Sequence, residues 1–116
     1  MITIIAGGRN IENYAWLLMA IRESGFEITK VVSGGARGAD KLGERWARVN
    51  GVPVEVFEAE WDKYGNSAGP IRNEKMGRVG EALIALWDGK SRGTKHMIDT
   101  ANRLKLRVFV FRVDKL

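Results

Sequence analysis

Cysteine is absent from the sequence, and histidine occurs once, as His96. Without cysteine the protein forms no disulfide, no cysteine-ligated zinc site and no thiol nucleophile. A single histidine also excludes every metal site that needs two imidazole ligands. The sequence therefore predicts no metal site, and it identifies no cofactor.

Long hydrophobic runs are missing as well. No apolar stretch approaches the roughly 18 residues that a membrane helix needs, so no membrane partner is expected. The first residues, MITIIAGGR, are largely apolar but lack the basic region and the cleavage-type ending of a signal peptide. These absences predict a cytoplasmic protein.

The composition is that of a folded chain. Of the 116 residues, 45% are hydrophobic and 28% are charged. These values are typical of one globular unit, so residues 1–116 are predicted to form a single domain. Lysine and arginine number 19 against 14 acidic residues, which gives a net charge of +5. A positive charge favours anionic partners, but it does not distinguish a small phosphate from nucleic acid.

Apolar runs alternate with helical patterns along the whole chain. Strands are predicted at 2–6, 30–33, 54–57, 82–87 and 106–113. Helices are predicted at 11–24, 39–49, 70–79 and 93–105. The stretch 58–69 is predicted to be a polar loop, followed by Pro70 at a first helical position.

This alternation predicts an α/β fold with a parallel sheet covered by helices on both faces. Strands 2–6 and 82–87 are almost entirely apolar, as strands buried on both faces must be. Strands 54–57 and 106–113 carry charges, as edge strands often do. A five-stranded sheet of order 3-2-1-4-5, with two helices on each face, fits both observations. Its ligand crevice is expected between the first and fourth strands, where the order reverses.

Glycine and arginine recur together in three loops that leave the carboxyl ends of strands. Glycine lets the backbone approach a ligand, a following helix offers free N–H groups, and arginine binds phosphate through two nitrogens. The same glycines are ordinary turn residues when each loop is taken alone. Neither the G-x-G-x-x-G fingerprint nor a P-loop is present, since only three residues separate Gly89 from Gly93. The residues predicted to bind a ligand are Gly7, Gly8, Arg9, Ser33, Gly34, Gly35, Arg37, Gly38, Asp40, Arg72, Asn73, Asp88, Ser91, Arg92, Gly93 and Thr94.

The helix after the polar loop offers candidate catalytic groups. Arg72 and Glu74 are predicted at the edge of the crevice, and ion pairing along the helix is the alternative for both. Asp40 is a second candidate carboxylate, although an acid in a first helical turn also complements the helix dipole. His96 is predicted to be a polar surface residue and not a catalyst.

Three aromatic residues lie close to the predicted crevice. Trp61 and Tyr64 belong to the polar loop, and Trp87 ends the fourth strand. All three are candidates for stacking on a base, and Trp87 fits the core equally well.

Residues 33–40, 70–76 and 88–94, in this order, resemble the YspA-type (cpYpsA-related) branch of the SLOG superfamily. These are small bacterial and phage proteins related to the DNA-processing protein DprA and to the LOG phosphoribohydrolases. The resemblance implies a three-layer Rossmann-like domain with a nucleotide or nucleotide-derived ligand at the crevice. In LOG enzymes a glutamate and an arginine carry out nucleotide hydrolysis. Arg72 is the match for that arginine, whereas Met97 occupies the position of the glutamate and leaves Glu74 as a substitute.

Three functions remain open on these grounds. The leading hypothesis is binding of a phosphate-bearing nucleotide or nucleotide-derived ligand, with sensing as one role of that binding. The second is hydrolysis of such a nucleotide, and the third is DprA-like binding of single-stranded nucleic acid, which the positive charge supports. The sequence does not decide between a monomer and a homo-oligomer.

Overall fold

Five parallel strands form one sheet in the order β3-β2-β1-β4-β5, as the sequence predicts. The computed structural model describes residues 1–116. The strands are β1 (Ile2–Gly7), β2 (Lys30–Ser33), β3 (Val54–Val56), β4 (Ala82–Trp87) and β5 (Arg107–Arg112). The helices are α1 (Tyr14–Ser24), α2 (Ala39–Val49), α3 (Trp61–Tyr64), α4 (Ala68–Val79) and α5 (Arg92–Arg103). No helix combines the length and the apolar character needed to cross a membrane.

The two central strands divide the hydrophobic core into two layers. Ile4 of β1 pairs with Leu83 of β4, and Ile5 pairs with Ile84; all four side chains are fully buried. Because successive side chains point to opposite faces, Ile5 and Ile84 pack with α1 and α2. Ile4 and Leu83 pack with α4 and α5. The predicted pair of helices on each face is confirmed.

The edge strands keep polar or exposed positions. In β3 both valines, Val54 and Val56, are exposed, and Glu55 between them pairs with Lys30 of β2 at 2.7 Å. Charged side chains and a short length are common protections of sheet edges. The charged residues of strands 54–57 and 106–113 therefore predicted the two edge strands correctly.

The predicted polar loop 58–69 is wrong in part, because it contains α3 and a 3-10 turn at Gly65–Ser67. The carbonyl of Glu60 accepts the N–H groups of Lys63 and Tyr64 at 3.1 and 3.0 Å, which closes the short helix. Helix α4 then begins at Ala68, two residues before Pro70. Pro70 is tolerated there because N–H groups of a first helical turn have no partner within the helix.

Helix α1 begins three residues later than predicted, at Tyr14. Asn13 is not helical, and its side chain accepts the N–H of Ala15 at 3.0 Å as an N-terminal cap. Ile11 is buried in the core ahead of the helix, so its apolar character reflects packing of the turn. The remaining element ends agree with the predicted ones to within two residues.

Candidate functional site

A cavity of about 670 Å³ opens at the carboxyl ends of β1 and β4. This is the point where the strand order reverses, and it is the usual ligand position in open parallel sheets. Eleven of the residues predicted to bind a ligand line it. They are Gly7, Gly8, Arg9, Asp40, Arg72, Asn73, Asp88, Ser91, Arg92, Gly93 and Thr94.

A second cavity of about 470 Å³ adjoins the first on the side of β2. We refer to the two as the main cavity and the side cavity. Three further predicted residues, Gly34, Gly35 and Arg37, line only the side cavity. The two cavities share four lining residues, namely Arg9, Ala36, Trp61 and Arg72.

The last two predicted residues, Ser33 and Gly38, line neither cavity and shape the backbone around them. Ser33 is fully buried; its hydroxyl donates to Glu44 at 2.7 Å and accepts the N–H of Gly35 at 3.1 Å. Gly38 has a φ of +80°, and a Cβ at this position would overlap the carbonyl of Gly8. Both residues thus hold the turn between β2 and α2 in place.

Arg72 joins α4 to the ends of β2 and β3. Its Nη1 donates to the carbonyls of Gly34 at 2.6 Å and Phe57 at 3.5 Å, and its Nε donates to the side chain of Asn73 at 3.0 Å. Burial lowers the pKa of Arg72, and the nearby carboxyl of Asp40 opposes that effect. A guanidinium ordinarily titrates so far above neutrality that Arg72 keeps its charge. The side chain is therefore a fixed positive group between the two cavities.

Asp40 is the buried carboxyl of the main cavity, with 5% of its surface exposed. Burial raises the pKa of Asp40 from 3.8 to about 6, although the N–H of Ala36 and the charge of Arg72 oppose the rise. The Ala36 N–H donates to Oδ2 at 3.1 Å. Asp40 therefore exchanges a proton near neutral pH, as a general acid or base must.

Glu74 lies outside both cavities, and the structure does not bring it to the crevice with Arg72. One carboxylate oxygen accepts from Arg78 at 2.9 Å, and the other accepts from Arg103 of α5. The hydrogen bond from Arg103 is the main reason why the pKa of Glu74 lies below its ordinary value. The ion-pairing alternative describes this residue, which links α4 to α5.

The turn between β4 and α5 is held by its own side chains. Oδ1 of Asp88 accepts the backbone N–H groups of Lys90 and Ser91, both at 2.8 Å. These bonds, that of Ser91 first, lower the pKa of Asp88. The hydroxyl of Ser91 then caps α5. Arg92 and Gly93 begin the helix, so their N–H groups have no partner within it and remain available to an anion.

Of the three aromatic candidates, Trp61 presents a surface to the cavities. It is 49% exposed and lines both of them. Trp87 instead donates its indole N–H to Ser91 at 3.1 Å, and the guanidinium of Arg112 lies 5.1 Å from its ring centre. Tyr64 lines neither the main nor the side cavity. Trp61 is therefore the one of the three that lines the cavities.

Sequence reasoning missed His96, which lines the main cavity beside Met97. Its Nδ1 lies 3.1 Å from the amide nitrogen of Asn73, which is itself 5% exposed. A signal for it was present in the spacing. Gly93 and His96 are three residues apart in α5, and residues with this spacing lie on the same side of a helix.

Positive charge exceeds negative charge in the main cavity. Three arginines, Arg9, Arg72 and Arg92, line it together with the carboxyls of Asp40 and Asp88. The charge of Asp88 is engaged by its own turn, and burial raises the pKa of Asp40 to about 6. No group of three or more His, Asp or Glu side chains is placed to hold a metal ion. The arrangement is suited to an anionic molecule.

Comparison with known proteins agrees with the fold. The model of the YspA, cpYpsA-related SLOG family matches residues 1–64, which contain the turns after β1 and β2. The Gene 61 protein of Mycobacterium phage D29 is 40% identical over 87 residues, covering 70% of this chain and 70% of that protein. No solved structure matches the chain significantly. The chain belongs to the YspA, cpYpsA-related SLOG family.

Proposed function

We propose that the protein binds a phosphate-bearing nucleotide or a nucleotide-derived ligand in the main cavity. The observation that carries this proposal is the presence of three arginines, Arg9, Arg72 and Arg92, among the residues that line one cavity of about 670 Å³. That volume is within the range of roughly 300–1,000 Å³ typical of small-molecule sites. Membership of the SLOG family fits a nucleotide-related Rossmann-like fold.

The phosphate binds at the turn after β1 and the first turn of α5. Gly7 and Gly8 line the cavity at the turn after β1, and the N–H groups of Arg92 and Gly93 are free of intrahelical partners. The positive end of the helix dipole adds to the attraction. Arg92 itself begins α5 and supplies a charged fork beside these donors.

The base of the nucleotide stacks on Trp61. This side chain is half exposed and reaches both cavities, so a ring placed on it remains connected to the phosphate site. Binding of single-stranded nucleic acid has less support, because it relies on several aromatic groups for successive bases. Trp61 is the one Trp, Tyr or Phe side chain that lines the main cavity.

Isothermal titration calorimetry with nucleoside 5′-mono- and diphosphates tests the proposal. We expect binding by the wild-type protein and a loss of about tenfold or more in Arg92→Ala, because a charge-assisted contact contributes on the order of 1.5–3 kcal/mol. Lys30→Ala is the matched control, since Lys30 begins β2 at the far end of the sheet and pairs with Glu55. Equal losses in both variants would show binding by diffuse charge, and the absence of binding would refute the proposal.

A second function is favoured by one observation, the buried carboxyl of Asp40 in the main cavity. In hydrolysis of an N-glycosidic bond, water adds to the sugar carbon and the base leaves with a proton. Asp40 would activate that water, in place of Glu74, which lies outside the cavity. Met97 lines the cavity at the position of the LOG glutamate and supplies no carboxyl.

Chromatography of nucleoside monophosphates incubated with the protein separates binding from hydrolysis. We expect no more free base than in a buffer blank, because the glutamate of the LOG pattern is missing. Release of base that is lost in Asp40→Asn, with nucleotide affinity retained, would establish the hydrolase instead.

A further inference from the structure

The side-chain amide of Asn73 has a fixed orientation between α4 and α5. Its Oδ1 lies 3.0 Å from Nε of Arg72, which is always a donor, so this atom accepts. Its Nδ2 lies 3.4 Å from the carbonyl oxygen of Gly93, which is always an acceptor, so this atom donates. Two partners of invariant polarity therefore exclude the flipped amide.

This orientation sets the tautomer of His96. The Nδ2 of Asn73 is a donor and lies 3.1 Å from Nδ1 of His96, so Nδ1 accepts and carries no proton. Thr100 lies 3.5 Å from the same nitrogen and adds a weaker contact. A neutral imidazole has one protonated nitrogen, which here is Nε2.

The Nε2–H of His96 has no partner within the protein. The two hydrogen-bond contacts of the ring, to Asn73 and Thr100, both use Nδ1. Every side-chain polar atom that is buried from solvent has a hydrogen-bond partner. Because Nε2 has no partner, it must be reachable from solvent. His96 is one of the residues that line the main cavity, and its free donor is open to solvent.

Met76 and Met97 line the main cavity together with His96, and both are almost completely buried. Methionine packs well against a flat heterocycle. A single N–H donor in the same cavity binds an acceptor atom, such as a ring nitrogen or a carbonyl oxygen of a base.

We propose that His96 contacts the nucleobase, with Nε2–H donating to an acceptor on the base edge, and that Asn73 positions His96 by holding this tautomer. The inference rests on the proposed nucleotide binding and extends it to the base. Trp61 stacks on the ring of the base, and His96 selects for an acceptor on its edge.

Nitrogen-15 NMR of the histidine ring tests the proposal directly, because His96 is the single histidine of the chain and gives one set of signals. We expect the Nε2–H tautomer in the free protein. Asn73→Asp keeps the size of the side chain but removes the donor, so the proton should move to Nδ1 in that variant. A purely structural role of Asn73 would not move the proton. A free protein with the Nδ1–H tautomer would overturn the inference.

The ligand contact is tested with the four common nucleoside 5′-monophosphates and with ribose 5-phosphate, which lacks a base. A nucleotide that binds should shift the Nε2 signal, and ribose 5-phosphate should not. Binding that depends on Arg92 but leaves Nε2 unshifted would refute this inference and keep the proposed function. An equal shift with ribose 5-phosphate would refute the base contact, and the absence of any binding would refute both.

Affinity measurements with substitutions of His96 complete the test. His96→Phe removes the donor and should weaken nucleotide binding about three- to tenfold, as expected for one neutral hydrogen bond. His96→Gln can place an amide N–H near Nε2 and should recover part of the loss. Lys95→Gln is the matched control, because Lys95 is exposed on the same helix and pairs with Asp99. Equal affinities of the Phe and Gln variants would argue against the donor.

Discussion

The backbone N–H of Ala39 donates to the carbonyl of Gly8 at 3.2 Å, which joins the first turn of α2 to the turn after β1. Gly38 directly precedes Ala39 and packs against the Gly8 carbonyl. Its φ of +80° and its missing side chain allow the two turns to meet. The main cavity is built on this junction, because Gly8 lines it on one side and Asp40, two residues beyond Gly38, lines it on another.

Gly38→Ala is expected to destabilise the protein by at least about 1–3 kcal/mol, from backbone strain alone. A Cβ at this position also overlaps the Gly8 carbonyl, which adds to the loss. Gly25→Ala is the control, because Gly25 has a φ of +70° and nothing within 4 Å of an added Cβ. It should cost about 1–2 kcal/mol. Urea unfolding measures both, and equal costs would show that the close contact contributes nothing.

Asp40 should make the stability of the protein depend on pH. The pKa of Asp40 is about 6 in the folded state and 3.8 as the ordinary value, so the folded state holds this proton more tightly. The stabilising contribution is complete below about pH 3.8 and is lost as the pH rises through 6. The free energy of unfolding of the wild type, minus that of Asp40→Asn, should therefore fall by on the order of 2–3 kcal/mol over this interval.

Chemical unfolding at pH 4, 5, 6 and 7 measures this difference, with buffers of constant ionic strength. The Asn variant keeps an oxygen that can accept the N–H of Ala36, so its packing is matched to that of Asp40. A difference that does not change with pH, or that rises, would contradict the raised pKa.

Glu74→Gln is expected to leave nucleotide affinity unchanged and to weaken the attachment of α4 to α5. The carboxylate of Glu74 contacts Arg78 and Arg103 and no cavity. Its contribution to the free energy of unfolding should diminish as salt is added, because exposed charges are screened. Calorimetry and thermal unfolding at low and high salt test the two parts. A loss of affinity comparable with that of Arg92→Ala would contradict this prediction and show that Glu74 takes part in nucleotide binding.

The central strands and the position of the crevice were predictable because they follow from local rules. Strands 2–6 and 82–87 are nearly free of polar side chains, and such strands belong at the centre of a parallel sheet. The turns after parallel strands must then meet at one edge. The prediction that places both Arg72 and Glu74 at the edge of the crevice was avoidable, because residues two apart on a helix do not face the same way.

The spacing from Gly93 places His96 on the same side of α5, but the contact of His96 with Asn73 could not be predicted from that helix. The contact depends on how α4 and α5 pack together. The position of α4 in turn depends on its start at Ala68. The turn-forming residues of 58–69 instead predict a loop up to residue 69. Packing between segments distant in the chain decided both points.

Arg37 and Arg92 are expected to act on different parts of a ligand. Arg92 lines the main cavity but not the side cavity, and Arg37 lines the side cavity but not the main cavity. A nucleoside monophosphate that fills the main cavity should therefore lose about tenfold or more in affinity with Arg92→Ala. With Arg37→Ala the change for this ligand should stay within about twofold, which corresponds to about 0.4 kcal/mol.

We expect a dinucleotide joined through a pyrophosphate to extend from one cavity into the other, since both are lined by Arg9, Ala36, Trp61 and Arg72. Its affinity should fall with Arg37→Ala as well as with Arg92→Ala, because its second half reaches the side cavity. Calorimetry with both ligands and both variants, at one salt concentration, gives the four values needed. If Arg37→Ala weakened the mononucleotide as much as the dinucleotide, the arginine would act through the overall field and not through the side cavity. If it weakened neither, the side cavity would not be part of the site, and binding would be confined to the turns after β1 and β4.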